Sequence, residues 1–176
     1  MKLRKYWITA FFVLGIFMIG IIGYNFMGNQ NQTAVKEKVQ GVNTGNVIPE
    51  FTLTGLDGKK VTVGKDKKVT VINFWATWCP PCRAEFPELV SFAQKNKDTV
   101  QFYSVNLQED EPKISAFFNT GGYSLPVLID ADGQVAKLFR IRAIPTTIVV
   151  DADGIIRYRK SGGVTANELE TIIKKL

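Results

Sequence analysis

The chain contains no histidine, and only two of its 176 residues are cysteine. A structural zinc site needs four nitrogen or sulfur ligands, and two cysteines alone do not supply them. Covalent haem attachment wants a histidine directly after the second cysteine of a C-x-x-C pair, and Arg83 stands there. No stretch has the G-x-G-x-x-G spacing that cradles a dinucleotide, so the chain is not expected to draw on NADPH itself. No basic stripe asks for nucleic acid: Lys59, Lys60, Lys65, Lys67 and Lys68 read as a solvated hairpin edge. There is no internal repeat. Two Asp-Ala-Asp-Gly segments start at Asp130 and Asp151, but an EF-hand loop needs glutamate at its twelfth position, where these have Ile141 and Gly162. Both read as turns, and neither a metal nor an organic cofactor is expected.

What is present is Trp78-Cys79-Pro80-Pro81-Cys82. Two intervening residues let one turn of backbone bring the sulfurs together, so a disulfide can form and break without moving the fold. A purely structural bridge across so short a loop removes little chain entropy, and a domain of this size buries a core without one. Cys79 closes a strand and opens a helix, which puts its sulfur near the orphan N–H groups and the positive end of the helix dipole. Pro80 and Pro81 then occupy the first helical positions, where proline is tolerated. Pro81 removes one donor to the Cys79 sulfur and leaves the Cys82 N–H. A less stabilised thiolate means a less stable dithiol form, which leans toward a reductant. Arg83 pulls the other way. Cys82, one turn inside the helix, is expected to be buried and to need a base. Glu85 lies three residues on, and in partly apolar surroundings a carboxylate has the raised pKa that suits the task.

The net charge of +6 is concentrated at the start of the chain. Lys2, Arg4 and Lys5 precede an uncharged run over 6–27, whose apolar core over 7–23 is at the short end of what crosses a bilayer as a helix. The positive flank is expected to stay in the cytoplasm and the remainder to lie outside. The following residues offer no small-x-small cleavage site and no lipoprotein cysteine, so an uncleaved signal anchor over 1–27 is the expectation. Residues 28–46, rich in Asn, Gln, Thr and Gly, read as a flexible linker. The globular domain is expected over 47–176.

Within that domain the alternating 51–53 and 61–63 segments flank Asp57-Gly58 and predict a hairpin. The β-branched and aromatic run 69–75 predicts a buried central strand. A helix over 80–95 is expected to bury Cys82, Phe86, Leu89, Val90 and Ala93 and to kink at Pro87. A strand over 101–107, a helix over 111–119 stopped by Gly121-Gly122, a strand over 126–129 and a short helix over 134–139 follow. A hairpin over 146–150 and 155–160 precedes a last helix, opened by the capping box Thr165-Ala166-Asn167-Glu168 and carrying Leu169, Ile172, Ile173 and Leu176. Strand–helix–strand early and hairpin–helix late predict an α/β fold, a central mixed sheet flanked by helices.

The segment Asn73-Phe74-Trp75-Ala76-Thr77-Trp78-Cys79-Pro80-Pro81-Cys82-Arg83-Ala84-Glu85-Phe86-Pro87 resembles the active-site segment of the thioredoxin superfamily, and most of all its extracytoplasmic TlpA/ResA-like branch. Ile144-Pro145-Thr146-Thr147 is similar to the cis-proline loop, and Ile48-Pro49-Glu50-Phe51-Thr52-Leu53 with Leu56-Asp57-Gly58-Lys59 to the branch's N-terminal hairpin. The resemblance implies that Cys79 attacks, Cys82 resolves, and Glu85 serves as the active-site glutamate. It implies that Pro145 faces the disulfide in the cis form, that substrate lies against Trp78 and the backbone of Ile144, and that 108–124 holds an inserted helix. Cytoplasmic thioredoxins usually carry an aspartate where this chain has Asn73; asparagine cannot titrate, which passes the proton to Glu85. The implied activity is extracytoplasmic thiol-disulfide exchange that reduces disulfides in exported proteins, such as the haem-binding cysteines of apocytochrome c. The implied electron source is a membrane dithiol carrier of the CcdA type. A general exported-protein oxidase is the alternative in direction. A peroxiredoxin-type peroxidase would need a different sequence around its cysteine. A copper(I) site could use two thiolates, but the related Sco-type proteins add a histidine that this chain does not have.

Overall fold

A computed structural model describes residues 39–176. The anchor expected over 1–27 and the linker up to residue 38 lie outside the described residues. The elements are β1 (Phe51–Gly55), β2 (Lys60–Val63), β3 (Val69–Trp75), α1 (Pro80–Lys95), β4 (Val100–Leu107), α2 (Glu111–Gly121), β5 (Val127–Asp130), α3 (Gln134–Leu138), β6 (Thr146–Val150), β7 (Ile156–Ser161) and α4 (Ala166–Ile173). The strands form one sheet in the order β2-β1-β5-β4-β3-β6-β7. Its centre, β5-β4-β3, is parallel, and β6, β7, β1 and β2 are added antiparallel on the two sides. This is a thioredoxin-like α/β fold.

β3 lies in the middle because almost every residue in it can be buried: from Thr70 to Trp75 every residue is buried. Its alternation divides the core. Ile72 and Phe74 join Tyr103, Val105, Ile148 and Val150 on the face that α3 covers through Val135 and Phe139. Val71 joins Phe102 and Val149 on the opposite face, beneath Leu89 and Phe92 of α1 and Leu169 of α4. At the C-terminal end of β3, Trp75 meets Phe86 of α1 at 4.5 Å between ring centroids, and Phe117 and Phe118 of α2 at 5.0 and 5.9 Å. The inserted helix is therefore fastened to the active-site end by aromatic edges.

Element boundaries depart from expectation by a residue or two, but some faces differ. The buried stripe of α1 is Cys82, Glu85, Phe86, Leu89 and Phe92, with Val90 only partly covered. The stripe steps by three more often than by four, and Phe92 turns in to meet Phe102. The helix runs as one element through Pro87. Thr165 caps α4 by accepting from the Glu168 N–H at 3.1 Å, but the Glu168 carboxylate turns outward to the Tyr158 hydroxyl and the Lys160 ammonium instead of closing the box. Leu176 lies beyond the last turn and is exposed. Both Asp-Ala-Asp-Gly segments are turns whose leading carboxylate accepts backbone N–H groups, those of Val135 and Ala136 for Asp130 and those of Asp153 and Ile155 for Asp151.

Residues 39–46, which composition places in the linker, are docked. Gly45 and Asn46 exchange backbone hydrogen bonds with Ile156 at 2.8 and 2.9 Å, and the Val42 side chain enters the core. Polar composition misses this because the docking is carried by main-chain groups and one valine. The Arg159 guanidinium fixes the arrangement by donating to the carbonyls of Val42 (3.3 Å) and Phe139 (2.8 Å). Replacing Arg159 with methionine strands those carbonyls; we expect a loss of about 1–2 kcal/mol in urea unfolding of the domain.

Candidate active site

The chain leaves β3 at Trp75, turns, and enters α1 at Pro80. Cys79 is the N-cap, in an extended conformation with φ −87° and ψ 108°. Its N–H donates to the Ala76 carbonyl at 3.2 Å, and its carbonyl accepts from the Arg83 N–H at 3.1 Å, which closes the first helical turn. Cys79 and Cys82 are joined as a disulfide, with Sγ–Sγ 2.07 Å and Cα–Cα 5.3 Å. Pro80 and Pro81 fill the first two helical positions. The donor that the sequence leaves available is the one used: the Cys82 N–H reaches Cys79 Sγ at 3.3 Å.

Both cysteines are shielded, Cys79 being 2% exposed and Cys82 fully buried, while Trp78 stands 68% exposed beside them. Ile144 packs against the same cluster as the cysteines, and its bond to Pro145 is cis. The register Phe74↔Thr146 sets this loop beside the end of β3. Two hydrogen bonds brace it: Thr146 Oγ1 donates to the Ala143 carbonyl at 2.7 Å, and the Gly162 N–H donates to the Pro145 carbonyl at 2.8 Å. The fold thus brings Ile144 into the cluster that holds Cys79 and Cys82, with Trp78 exposed next to them along the chain.

Glu85 projects from α1 into the sheet and is only 6% exposed. Oε1 accepts from Asn73 Nδ2 at 2.9 Å, and Oε2 accepts from the Val164 N–H at 2.8 Å. Burial pushes its carboxyl above the ordinary glutamate range. The Val164 N–H, the Asn73 amide and the charge of Lys160 pull it down without cancelling the rise. A buried acid with an elevated pKa, one helical turn from Cys82, is equipped to exchange a proton with a thiol.

A second buried carboxylate has no signal in the sequence. Glu109, just past β4, accepts from the Thr77 N–H at 2.7 Å, from Thr77 Oγ1 at 2.5 Å and from Asn106 Nδ2 at 2.8 Å. It holds the turn that delivers Cys79 to the helix. In the run Gln108-Glu109-Asp110-Glu111 it looks like one surface acid among several, and only the β3–β4 pairing brings it under Thr77. Thr147 and the Val164 N–H, the other neighbours of Asn73 and Glu85, escape sequence reasoning for the same reason.

A C-x-x-C disulfide at a helix N-terminus, set beside a cis-proline loop on this sheet, defines the class of thioredoxin-like thiol-disulfide oxidoreductases. Comparison with known proteins agrees. The Redoxin family matches residues 43–173, and the chain belongs to that family. It is 35% identical over 171 residues to the thioredoxin-like protein YneN of Bacillus subtilis, covering 94% of this chain and 95% of that one. It is 30% identical over 166 residues to the thiol-disulfide oxidoreductase ResA of Bacillus anthracis, with 93% of each chain covered. Among solved structures, a putative thiol:disulfide interchange protein DsbE from Chlorobium tepidum superposes with a TM-score of 0.70 at 29% identity, over 77% of this chain and 98% of that one. The activity is accordingly thiol-disulfide oxidoreduction of the ResA/DsbE type, acting on disulfide-containing proteins.

The raised Glu85 pKa has a consequence for stability. The folded protein holds this proton more tightly than the unfolded chain, whose glutamate titrates near 4.5. Stability from this group is therefore full at low pH and falls as pH rises from 4.5 through the elevated folded value. Glu85→Gln removes that titration. We expect the urea midpoint of the variant to gain on the native protein as pH is raised across that window, and the difference to flatten on either side of it.

Proposed function

We propose that the domain works outside the cytoplasmic membrane as a reductant of disulfides in exported proteins, with the haem-binding cysteines of an apocytochrome c as the model client. The observation that carries the direction is the poor solvation of the Cys79 sulfur by the helix. With Pro80 and Pro81 in the first two positions, its hydrogen-bond donor among the described residues is the Cys82 N–H alone. A helix mouth that withholds donors stabilises a thiolate less and makes the dithiol the better electron donor.

In this reading the Cys79 thiolate attacks one sulfur of the client disulfide. That S–S bond breaks, the client's other sulfur leaves as a thiolate and picks up a proton, and Cys79 is left in a mixed disulfide. Glu85 takes the proton from Cys82 Sγ. The Cys82 thiolate then attacks Cys79 Sγ, the client's second thiolate departs, and the Cys79–Cys82 disulfide remains. Two electrons have passed to the client. Trp78, exposed beside the pair, and the backbone at Ile144 and Pro145 supply the surface on which the client strand lies. A membrane dithiol carrier of the CcdA type returns the two electrons. The apolar run of 6–27 holds the domain at the membrane, with the catalytic side on the extracytoplasmic face.

Two measurements test this. The reduction potential of the soluble domain is expected near the value of about −270 mV typical of thioredoxin; a value near about −120 mV makes it an oxidase of exported proteins instead. Cys82→Ala is expected to accumulate a mixed disulfide with a C-x-x-C-H peptide, resolved by added dithiol, whereas Cys79→Ser captures nothing. Absence of any adduct on Cys79 removes the exchange mechanism.

A further inference from the structure

Asn73 sits at the centre of a polar row that crosses an otherwise apolar face of the sheet. Its register partners are Thr147 on β6 and Ser104 on β4, and Glu85 reaches it from α1. All are buried. A single atom joins Asn73 to Glu85 and Thr147: Nδ2 stands 2.9 Å from Glu85 Oε1 and 3.0 Å from Thr147 Oγ1. An amide nitrogen carries two hydrogens, and in this orientation both are used, one on an ionised carboxylate and one on a hydroxyl oxygen. The other end of the amide is idle. Among the described residues Asn73 Oδ1 has no hydrogen-bond partner, and neither has the Ser104 hydroxyl. A buried carbonyl oxygen left without a donor is costly, so the arrangement is optimal for only one of the two states Glu85 passes through.

A proton on Glu85 Oε1 brings a donor up against the Nδ2 donor. A half-turn of the carboxamide about χ2 resolves the conflict. It puts Oδ1 where Nδ2 was, and its two lone pairs then accept from the Glu85 O–H and from the Thr147 O–H, since a hydroxyl serves as donor or acceptor alike. The groups around Glu85 do not preclude this. Among the described residues the charge facing it is Lys160 of β7, itself paired with Glu168 of α4; the titratable groups one turn away on α1 are Cys82 and Glu88, whose carboxylate accepts from the Ala166 N–H; β3, β6 and the Val164 N–H present neutral groups. We propose that Asn73 is a positioning residue that turns its carboxamide over with the protonation state of Glu85, giving Glu85 a donor when it is a carboxylate and an acceptor when it is an acid. The idea rests on Glu85 being the group that takes up the Cys82 proton, and it explains how a buried base can be served in both halves of the cycle.

The test uses the disulfide form of the domain with ¹⁵N-labelled asparagine side chains and ¹³C-labelled glutamate carboxyls, titrated by NMR. The two Asn73 amide proton resonances are expected to move from hydrogen-bonded to free positions with the same midpoint as the Glu85 carboxyl carbon. Amide signals that stay hydrogen-bonded on both sides of that midpoint overturn the proposal. Asn73→Leu, which can neither donate nor accept, is expected to raise the Glu85 midpoint by about one pH unit, because a charge-assisted bond is lost from the ionised form and only a neutral one from the acid. Thr147→Val removes a neutral bond from either state and is expected to leave the midpoint nearly unchanged. An unmoved midpoint in Asn73→Leu also counts against the proposal, and the native amide titration decides alone if that variant does not fold. The role of Glu85 as base is read separately, from whether Glu85→Gln shifts the Cys82 titration in the dithiol form. That result can fail while the amide turnover stands, and the reverse.

Discussion

A carboxylate buried between a helix and a sheet is tolerated only if its oxygens are hydrogen-bonded. Glu85 meets that condition with one bond to the central strand and one to the segment that leads into α4. The requirement ties together three parts of the fold that also share one hydrophobic cluster. β3 must present a donor at position 73, α1 must start late enough to bring residue 85 over it, and the chain after β7 must return its backbone to the same point. The cysteines inherit their position from this agreement, because the helix that carries Glu85 also carries them.

The electrostatics of the helix mouth follow from equally local choices. Helix N-termini attract negative charge, and a fully furnished one stabilises a thiolate strongly. Here two prolines trim the supply of donors while preserving the geometry of the cap. Below the pair, Glu109 anchors Thr77 and fixes the approach of the strand to the cap. The two buried glutamates divide the work: one sits beneath the helix near Cys82, the other beneath the turn ahead of Cys79.

Much of this is legible in the amino-acid sequence. The span of β3 and α1, the N-cap position of Cys79, the hairpin at the start and the cis bond before Pro145 are each announced by residues close together in the chain or by a motif with a specific resemblance. What stays hidden depends on pairing across the sheet. Asn73 stands out in the sequence only as a departure from aspartate; its role as donor appears once β6 and α1 are laid beside it. Glu109 carries no local mark that separates it from Asp110 and Glu111. Docking of residues 39–46 relies on main-chain groups, which composition does not weigh, and the outward turn of Glu168 reflects competition from Tyr158 and Lys160 that a local motif cannot register.

The Arg159 guanidinium bridges the incoming N-terminal segment and the turn that leads toward the cis-proline loop. Mechanically it is a tie rod. A displacement of residues 39–46 is resisted along the β7 edge by the hydrogen bonds of Gly45 and Asn46, and part of it passes through Arg159 to Phe139. The loop that leads to Pro145 is thereby joined to the docked segment over 39–46, so a shift in either is handed on to the other.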